Sequence, residues 1–288
     1  MKPQILSTFT RTPLHIGSGS SVGAIDQPIQ RERATGFPII PGSSLKGSLV
    51  DLFQNDQTME GKNFKERKKE GIVHRYFGSN TTEASRGGIS ISEGKVLLFP
   101  VRSLKGCFAW ITSPLVIDRF LRDSGKEPWS GGNLNEETVW TTPKGNSTLA
   151  HKDQVVLEDY ALNAEANEKV NALIEVLKAQ IPEEAWKERL NDHLLVVSDH
   201  YMSYFCRNAC EVAQHVKIDD ESGTAEGGAL FNQENVPSET LFYSLVQPLK
   251  SDLDLKPFVD QLNTEKVLQI GADATTGLGF CSVQMRPL

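Results

Sequence analysis

Cysteine is scarce here: four scattered residues in a chain of 288, too few for a disulfide framework and suited to a reducing compartment. No run approaches the roughly 18 consecutive apolar residues of a membrane-spanning helix, so no membrane partner is expected. The first residues, Met1-Lys2-Pro3-Gln4-Ile5-Leu6, lack the apolar stretch and small-residue cleavage site of a secretory signal, and a cytoplasmic protein is expected. The sequons at Asn80 and Asn146 then carry no meaning for glycosylation. Positive charge is not in excess either. Thirty Lys and Arg against 37 Asp and Glu give 30 − 37 = −7, an average that by itself argues against a nucleic-acid partner.

The average hides an asymmetry. Residues 1–110 carry 15 basic and 9 acidic side chains, 15 − 9 = +6, and the remainder carries 15 and 28, 15 − 28 = −13. With 39% apolar and 23% charged residues the composition is globular. A chain this long buries roughly three quarters of its unfolded surface, enough for a core without staples. One large domain with insertions and two small domains both fit.

Along the chain, Ile5 to Arg11 alternate as a strand and run into a Gly/Ser cluster ending at Gly23. A long polar loop continues to Ile40. Pro41-Gly42-Ser43 then opens a helix with Leu45, Leu49, Leu52 and Phe53 on one face. The charged run Lys65-Glu66-Arg67-Lys68-Lys69-Glu70 reads as a solvated helical face. Lys95 to Val101 and Cys107 to Thr112 read as strands of a hairpin, and a helix is expected from Pro114 to about Asp123. The following insertion looks mostly helical, most clearly at Val170, Leu173, Ile174 and Leu177. Residues 211–240 alternate weakly around Gly223, Gly227 and Gly228, as in a long projecting hairpin, and a strand, helix, strand, loop, strand series closes the chain. Helix and sheet alternate at both ends, which predicts an α+β fold built on split βαβ units with the middle inserted.

Four patterns suggest chemistry. Gly17-Ser18-Gly19-Ser20-Ser21-Val22-Gly23 follows a strand like a dinucleotide loop, but Asp26, Pro28 and charged residues stand where a helix must begin. Ser43-Ser44-Leu45-Lys46 matches S-x-x-K without the companion motifs of serine acylases. Cys206 and Cys210, with His193, His200 and His215, could supply a zinc site, yet two cysteines four apart on a helix also make one buried face, which is the favoured reading. The fourth is Asp26, on one loop with His15, Arg31 and Arg33. A lone loop Asp is ordinarily a turn or cap residue. Between two cationic residues and several glycines it could also hold a metal or a proton near a phosphodiester.

Two repeats, Ser44-Leu45-Lys46-Gly47 at a helix start and Ser103-Leu104-Lys105-Gly106 between strands, each pair a Lys with a Gly. The first adds a full charge to the positive end of a helix. With Lys2, Arg11, Arg31, Arg33, Arg102 and Lys105 they account for much of the basic excess, a patch suited to tracking a nucleic-acid backbone. The −13 then belongs to an acidic body behind a basic working face.

The runs Pro13 to Gly19, Asp26 to Arg33, Gly36-Phe37-Pro38, Gly42 to Gly47, Phe99 to Gly106, Thr112 to Leu115, Pro237 to Tyr243, Leu268 to Gly271 and Thr276 to Phe280 together resemble the RAMP superfamily of CRISPR proteins. They are most similar to the repeated backbone subunit of the type III-B (Cmr) effector complex. Residues 55–85 and 125–210 fall outside the match, as insertions would. The resemblance implies one domain over 1–288: an RRM-like, ferredoxin-type palm with a catalytic loop at 13–38, a helical insertion at about 118–205 and a thumb hairpin at about 211–240. It implies guide RNA, target RNA, further copies of the chain in a filament and other complex subunits as partners. It also implies antiviral endoribonuclease activity, cutting guide-paired target RNA at periodic sites with a divalent metal ion, Mg or Mn, by attack of the substrate's own 2′-hydroxyl. The essential acid of the family maps onto Asp26, as base or metal ligand, with His15 and Glu226 as further acid–base candidates. RNA contacts are expected from Arg31, Arg33, Ser44, Lys46, Gly47, Arg102 and Lys105, from Leu230 and Phe231 as a wedge between bases, and from backbone at Gly271, Gly277 and Gly279. Two other readings remain: a purely structural RNA-binding subunit of the same kind of complex, and a stand-alone enzyme acting on a small molecule.

Overall fold

The computed structural model describes residues 3–19, 23–54, 71–79, 85–132 and 134–288; Lys2 and the charged run 65–70 lie outside them. From the N-terminus the chain forms β1 (Gln4–Thr10), β2 (Ile39–Ile40), α1 (Gly42–Gln54), α2 (Gly71–Phe77), β3 (Gly78–Ser79), β4 (Ser85–Arg86), β5 (Ile89–Ile91), β6 (Gly94–Arg102) and β7 (Phe108–Thr112). The middle comprises α3 (Pro114–Asp123), β8 (Thr138–Thr141), α4 (Pro143–Leu149), β9 (Gln154–Leu157), β10 (Tyr160–Ala166), α5 (Glu168–Lys178), α6 (Glu184–Lys187), α7 (Leu190–His193), β11 (Leu194–Val196) and α8 (Asp199–Asn208). A hairpin of β12 (Glu211–Ile218) and β13 (Ala225–Asn235) precedes β14 (Leu241–Pro248), α9 (Lys256–Glu265), β15 (Val267–Gln269) and β16 (Phe280–Pro287).

Strands β16, β1, β14 and β6 lie side by side in that order, each antiparallel to its neighbour. The units β1-α1-β6 and β14-α9-β16 therefore interlock, each placing a strand between the two of the other. This is the split βαβ, α+β palm that the alternation of elements predicts. The crossover helices meet through Phe53 and Phe258, stacked 4.9 Å apart. On α1 the residues Leu45, Leu49 and Phe53 are buried at helical spacing, as the sequence suggests.

The middle of the chain departs from expectation. Strands β11, β8, β10 and β9 continue the palm sheet outward from β7, so this segment is mixed rather than mostly helical. The physical reason is that β11 is a three-residue, fully buried strand that pairs in parallel with β7, while β8 and β9 have four residues each. Strands so short show no period in sequence, and only their distant partners define them. The helices around them are conventionally capped. Ser113 accepts from Val116 N at the start of α3 and Ser198 from Tyr201 N at the start of α8.

The insertion also covers part of the palm sheet. Ser7 Oγ donates to Gln180 Oε1 at 3.1 Å, and Phe9 packs on Trp186 and Trp110 with ring centroids 6.0 and 6.4 Å apart. Arg11 pairs with Glu183 beside them. That face of β1 is thus not the open aromatic platform on which many RRM domains stack bases.

Candidate functional site

The loop from Pro13 to Pro38 is folded by backbone pairing. Leu14 and Val236 exchange both hydrogen bonds at 2.9 Å, Ser18 N donates to Pro28 O, Gln30 N donates to Ile16 O and Glu32 N to Phe37 O. Leu14, Ile16, Ile29 and Phe37 are buried and tie the loop to the core, each contributing roughly 1.5–3 kcal/mol of burial. Between these anchors the stretch Ala24 to Gln27 runs out along the hairpin. Gln27 N donates to Asn232 O at 3.1 Å and Glu234 N to Gln27 O at 2.9 Å, adding one parallel bridge to the edge of β13.

Consecutive residues of β13 grip three different segments. Asn232 holds Asp26: its side-chain Oδ1 accepts from Asp26 N at 2.7 Å, its N–H donates to Asp26 Oδ2 at 2.8 Å, and its Nδ2 donates to Ala24 O at 3.0 Å. Asp26 itself is exposed, and Oδ1 has no protein partner among the described residues. Gln233, almost fully buried, donates to Asp273 Oδ2 at 2.9 Å and so ties down the C-terminal loop. Glu234, also buried, accepts from Ile29 N at 3.1 Å and pairs with Arg31 at 2.5 Å. Its carbonyl faces His15 Nδ1 at 2.7 Å. Because a carbonyl can only accept, His15 carries its proton on Nδ1 when neutral, which leaves Nε2 with the lone pair. A Cβ at Gly17 would stand 3.0 Å from that Nε2, so glycine keeps its approach clear.

Arg31 turns inward. Its Nη1 donates to Gly36 O and Cys206 O, both at 2.7 Å, and its Nη2 to Glu234 and to Cys210 Sγ at 3.3 Å. Burial alone would lower its pKa, but the Cys210 and Glu234 groups more than offset this and the pKa is raised. Arg31 is thus committed to holding loop, hairpin and α8 together and has little left for a phosphate. Cys206 and Cys210 sit around it as core residues: burial pushes the Cys210 thiol up to about 12 and that of Cys206 well above its ordinary value.

The other expected residues divide. Arg33 and Lys46 are exposed without partners among the described residues, Ser44 is half-buried at the N-terminal turn of α1, and Gly47 faces open space. Arg102 pairs with Glu158 at 2.7 Å, and Lys105 donates to the Ser147 and Ala150 carbonyls at the end of α4, so the β6–β7 turn is docked on the insertion. Leu230 is 66% exposed and pairs across the hairpin with Val216, whereas the Phe231 ring stacks on His215 at 5.1 Å. Of the two, Leu230 is the free apolar side chain. Gly271 is glycine for an internal reason: at φ +82° a Cβ would meet His15 O at 2.2 Å. Gly279 approaches Ile270 O in the same way, while Gly277 faces open space. Glu226 lies six residues before Asn232 on β13, roughly 20 Å of strand along the backbone.

Sequence reasoning misses Asn232, Gln233 and Glu234. The available signal is the run Asn232-Gln233-Glu234-Asn235 inside a segment read as strand, because such polar residues enter a buried strand only where partners await them. No group of three or more His, Cys, Asp or Glu side chains is gathered to hold a metal among the described residues. A single free carboxylate oxygen still fits a hydrated divalent ion such as Mg, which is bound through one or two carboxylates and completed by water and substrate phosphate.

A model of the RAMP superfamily matches residues 10–282. The chain is 34% identical to the CRISPR system Cmr endoribonuclease Cmr4 of Pyrococcus furiosus over 295 residues, covering 99% of this chain and 96% of that protein. The CRISPR system CMR subunit Cmr4 of Saccharolobus solfataricus is 24% identical, with 99% and 96% covered. The crystal structure of oligomeric Cmr4 from Pyrococcus furiosus superposes with a TM-score of 0.74 at 28% identity, covering 100% of this chain and 99% of that one. A subunit in a cryo-EM structure of the type III-B Cmr-beta complex bound to cognate target RNA shares the fold, with a TM-score of 0.75 at 18% identity over 99% and 97% of the two chains.

Proposed function

The chain belongs to the RAMP superfamily, and from that premise we propose that it is the RNA-binding backbone subunit of a type III-B CRISPR effector complex and the endoribonuclease that cuts guide-paired target RNA. Its partners are guide RNA, target RNA, further copies of itself and the other subunits of a cytoplasmic complex. The observation that carries the catalytic reading is Asp26: an exposed carboxylate with one oxygen fixed by the Asn232 N–H and the other without a partner among the described residues, at the end of the hairpin strand β13 nearer the palm.

Each part of the junction has a task. Lys46 and Arg33, without partners among the described residues, offer charge to the RNA backbone, and Gly42 and Ser43 offer N–H groups at the start of α1, where Ser44 N and Leu45 N already donate to Pro41 O. Leu230, backed by Val216, enters the base stack and displaces a nucleotide, against a few kcal/mol of stacking per step. A displaced nucleotide can swing its 2′-oxygen into line with the leaving 5′-oxygen, a geometry that a stacked A-form helix prevents. Asp26 Oδ1 accepts the 2′-hydroxyl proton as that oxygen attacks phosphorus, the bond from phosphorus to the 5′-oxygen breaks, and the departing 5′-oxygen takes a proton from water, giving a 2′,3′-cyclic phosphate and a 5′-hydroxyl end. His15 is buried with its Nε2 against Gly17, and it is a second candidate to touch the phosphate where the glycine leaves room. A divalent ion held by Asp26 would neutralise charge developing on the scissile phosphate.

Asp26→Asn is the test. Asparagine retains an acceptor oxygen for the Asn232 N–H, so the loop stays in place while charge and basicity are lost. Target cleavage by the assembled complex should fall by about a hundredfold or more with guide binding intact. Cleavage at the wild-type rate would overturn the catalytic assignment and leave a structural RNA-binding subunit.

A further inference from the structure

We propose that Asn232 is the positioning residue for Asp26, so that the hairpin, not the loop carrying the acid, sets where the carboxylate stands; this rests on the catalytic reading of Asp26. The loop cannot place Asp26 unaided. Ala24, Asp26 and Gln27 are exposed, and the nearest buried apolar anchors are Ile16 and Ile29. Asn232 applies every polar group it owns to this short stretch. Its N–H binds Asp26 Oδ2 and its C=O binds Gln27 N, while its Oδ1 accepts from Asp26 N and its Nδ2 donates to Ala24 O.

Both ends of the amide are used, which defines why asparagine is required. An acid would present a lone pair to the Ala24 carbonyl, alanine would lose both side-chain bonds, and glutamine would overreach by a methylene. With Oδ2 clamped from β13, the rotation of the Asp26 carboxylate is determined and Oδ1 becomes the presented oxygen. The same strand carries Leu230 two residues earlier and therefore on the same face. The wedge and the clamp that holds the acid are thereby fixed about 7 Å apart along one strand, close to one nucleotide step, and move together.

The experiment is single-turnover cleavage of target RNA, at saturating and subsaturating target, by complexes assembled with wild-type, Asp26→Asn, Asn232→Ala or Asn232→Asp chains, with target affinity and melting temperature measured alongside. Asn232→Ala should cleave about tenfold or more slowly at saturating target, from the loss of two side-chain hydrogen bonds, with affinity and melting temperature close to wild type. Asn232→Asp keeps an acceptor for Asp26 N but sets a second carboxylate oxygen against the Ala24 carbonyl in place of the Nδ2 donor, so it should cleave at least as slowly as Asn232→Ala at saturating target. Wild-type rates for Asn232→Ala alongside an inactive Asp26→Asn would overturn the positioning role, as would a wild-type rate for Asn232→Asp. A slower Asn232→Ala whose melting temperature and target affinity fall in step would also overturn it, by showing a merely structural residue. An active Asp26→Asn would instead overturn the catalytic reading beneath it.

Discussion

Replacing Arg31 with methionine should destabilise the fold rather than loosen its grip on RNA. Its guanidinium makes four hydrogen bonds, to two carbonyls, a thiol and a carboxylate, and its side chain is only 20% exposed. Methionine fills similar volume but leaves Glu234, 9% exposed, as a buried charge relieved mainly by Ile29 N. Removing one partner of a buried pair costs about 3–5 kcal/mol. At about 2–4 °C per kcal/mol for a domain of this size, the melting temperature should drop on the order of 10 °C. Thermal unfolding followed by circular dichroism measures this directly. Arg31→Met combined with Glu234→Gln, which neutralises the stranded charge, should recover ~2 kcal/mol or more. Arg31→Lys should lie between, because a single ammonium cannot span the same partners. A melting temperature within 2 °C of wild type for Arg31→Met, together with a weaker salt dependence of RNA binding, would refute the reasoning and return Arg31 to the phosphate backbone.

Lys46→Ala and Arg33→Ala should each flatten the log–log salt dependence of RNA affinity by about one unit with little change in melting temperature; filter binding across a salt series checks it, and an unchanged slope removes that residue from the RNA track. Acid should weaken the fold through Glu32, Asp123 and Glu183. Burial pushes Glu32 and Asp123 up, but hydrogen bonds from Arg119 and Thr35 to the first, and from Lys95, Arg122 and Tyr243 to the second, outweigh it, while the Ser282 hydroxyl and Arg11 hold Glu183 down. Folded pKa values below the unfolded ones mean stability that is present above about pH 4.5 and lost as pH falls through the folded values. Melting curves of Asp123→Asn should accordingly be less pH-sensitive below about pH 4.5, and curves that track wild type there would sink the assignment. Of the four thiols, only Cys107 is exposed, so one should react quickly with a thiol reagent at pH 8 while Cys206, Cys210 and Cys281 stay inert. Burial raises Cys281, like Cys210, to about 12. A fast-reacting Cys206 or Cys210 in the folded chain would contradict the packing around Arg31.

What could be foreseen from the sequence follows the range of the interactions. The buried face of α1 and the Ser113-Pro114 start of α3 are local patterns, and local rules find them. The interlocked palm is legible because helix and strand alternate at both ends of the chain. Arg31 is illegible for the opposite reason. Its ion-pair partner lies 203 residues away, so a cation in a polar loop looks like a surface contact. The same applies to Asn232, 206 residues from Asp26, and to β8, β9 and β11, which exist as strands only through their neighbours in the sheet. Asp26 is proposed early because the resemblance points to it, yet the means of holding it is a tertiary fact.

Along β13 the residues at 232, 233 and 234 each have a different addressee, namely Asp26, Asp273 and Arg31. Deleting one residue between Leu230 and Asn232 would turn every one of them to the wrong side. The far end of the hairpin is free of that constraint. Its turn is closed on itself by Asp219, whose Oδ1 accepts from Ser222 N and Ser222 Oγ at 2.7 and 2.8 Å. Pairs of residues can be added or removed there without disturbing the register below. The length of the hairpin can therefore change while the Asp26 carboxylate stays where it is, so the two ends of a single ladder can vary separately.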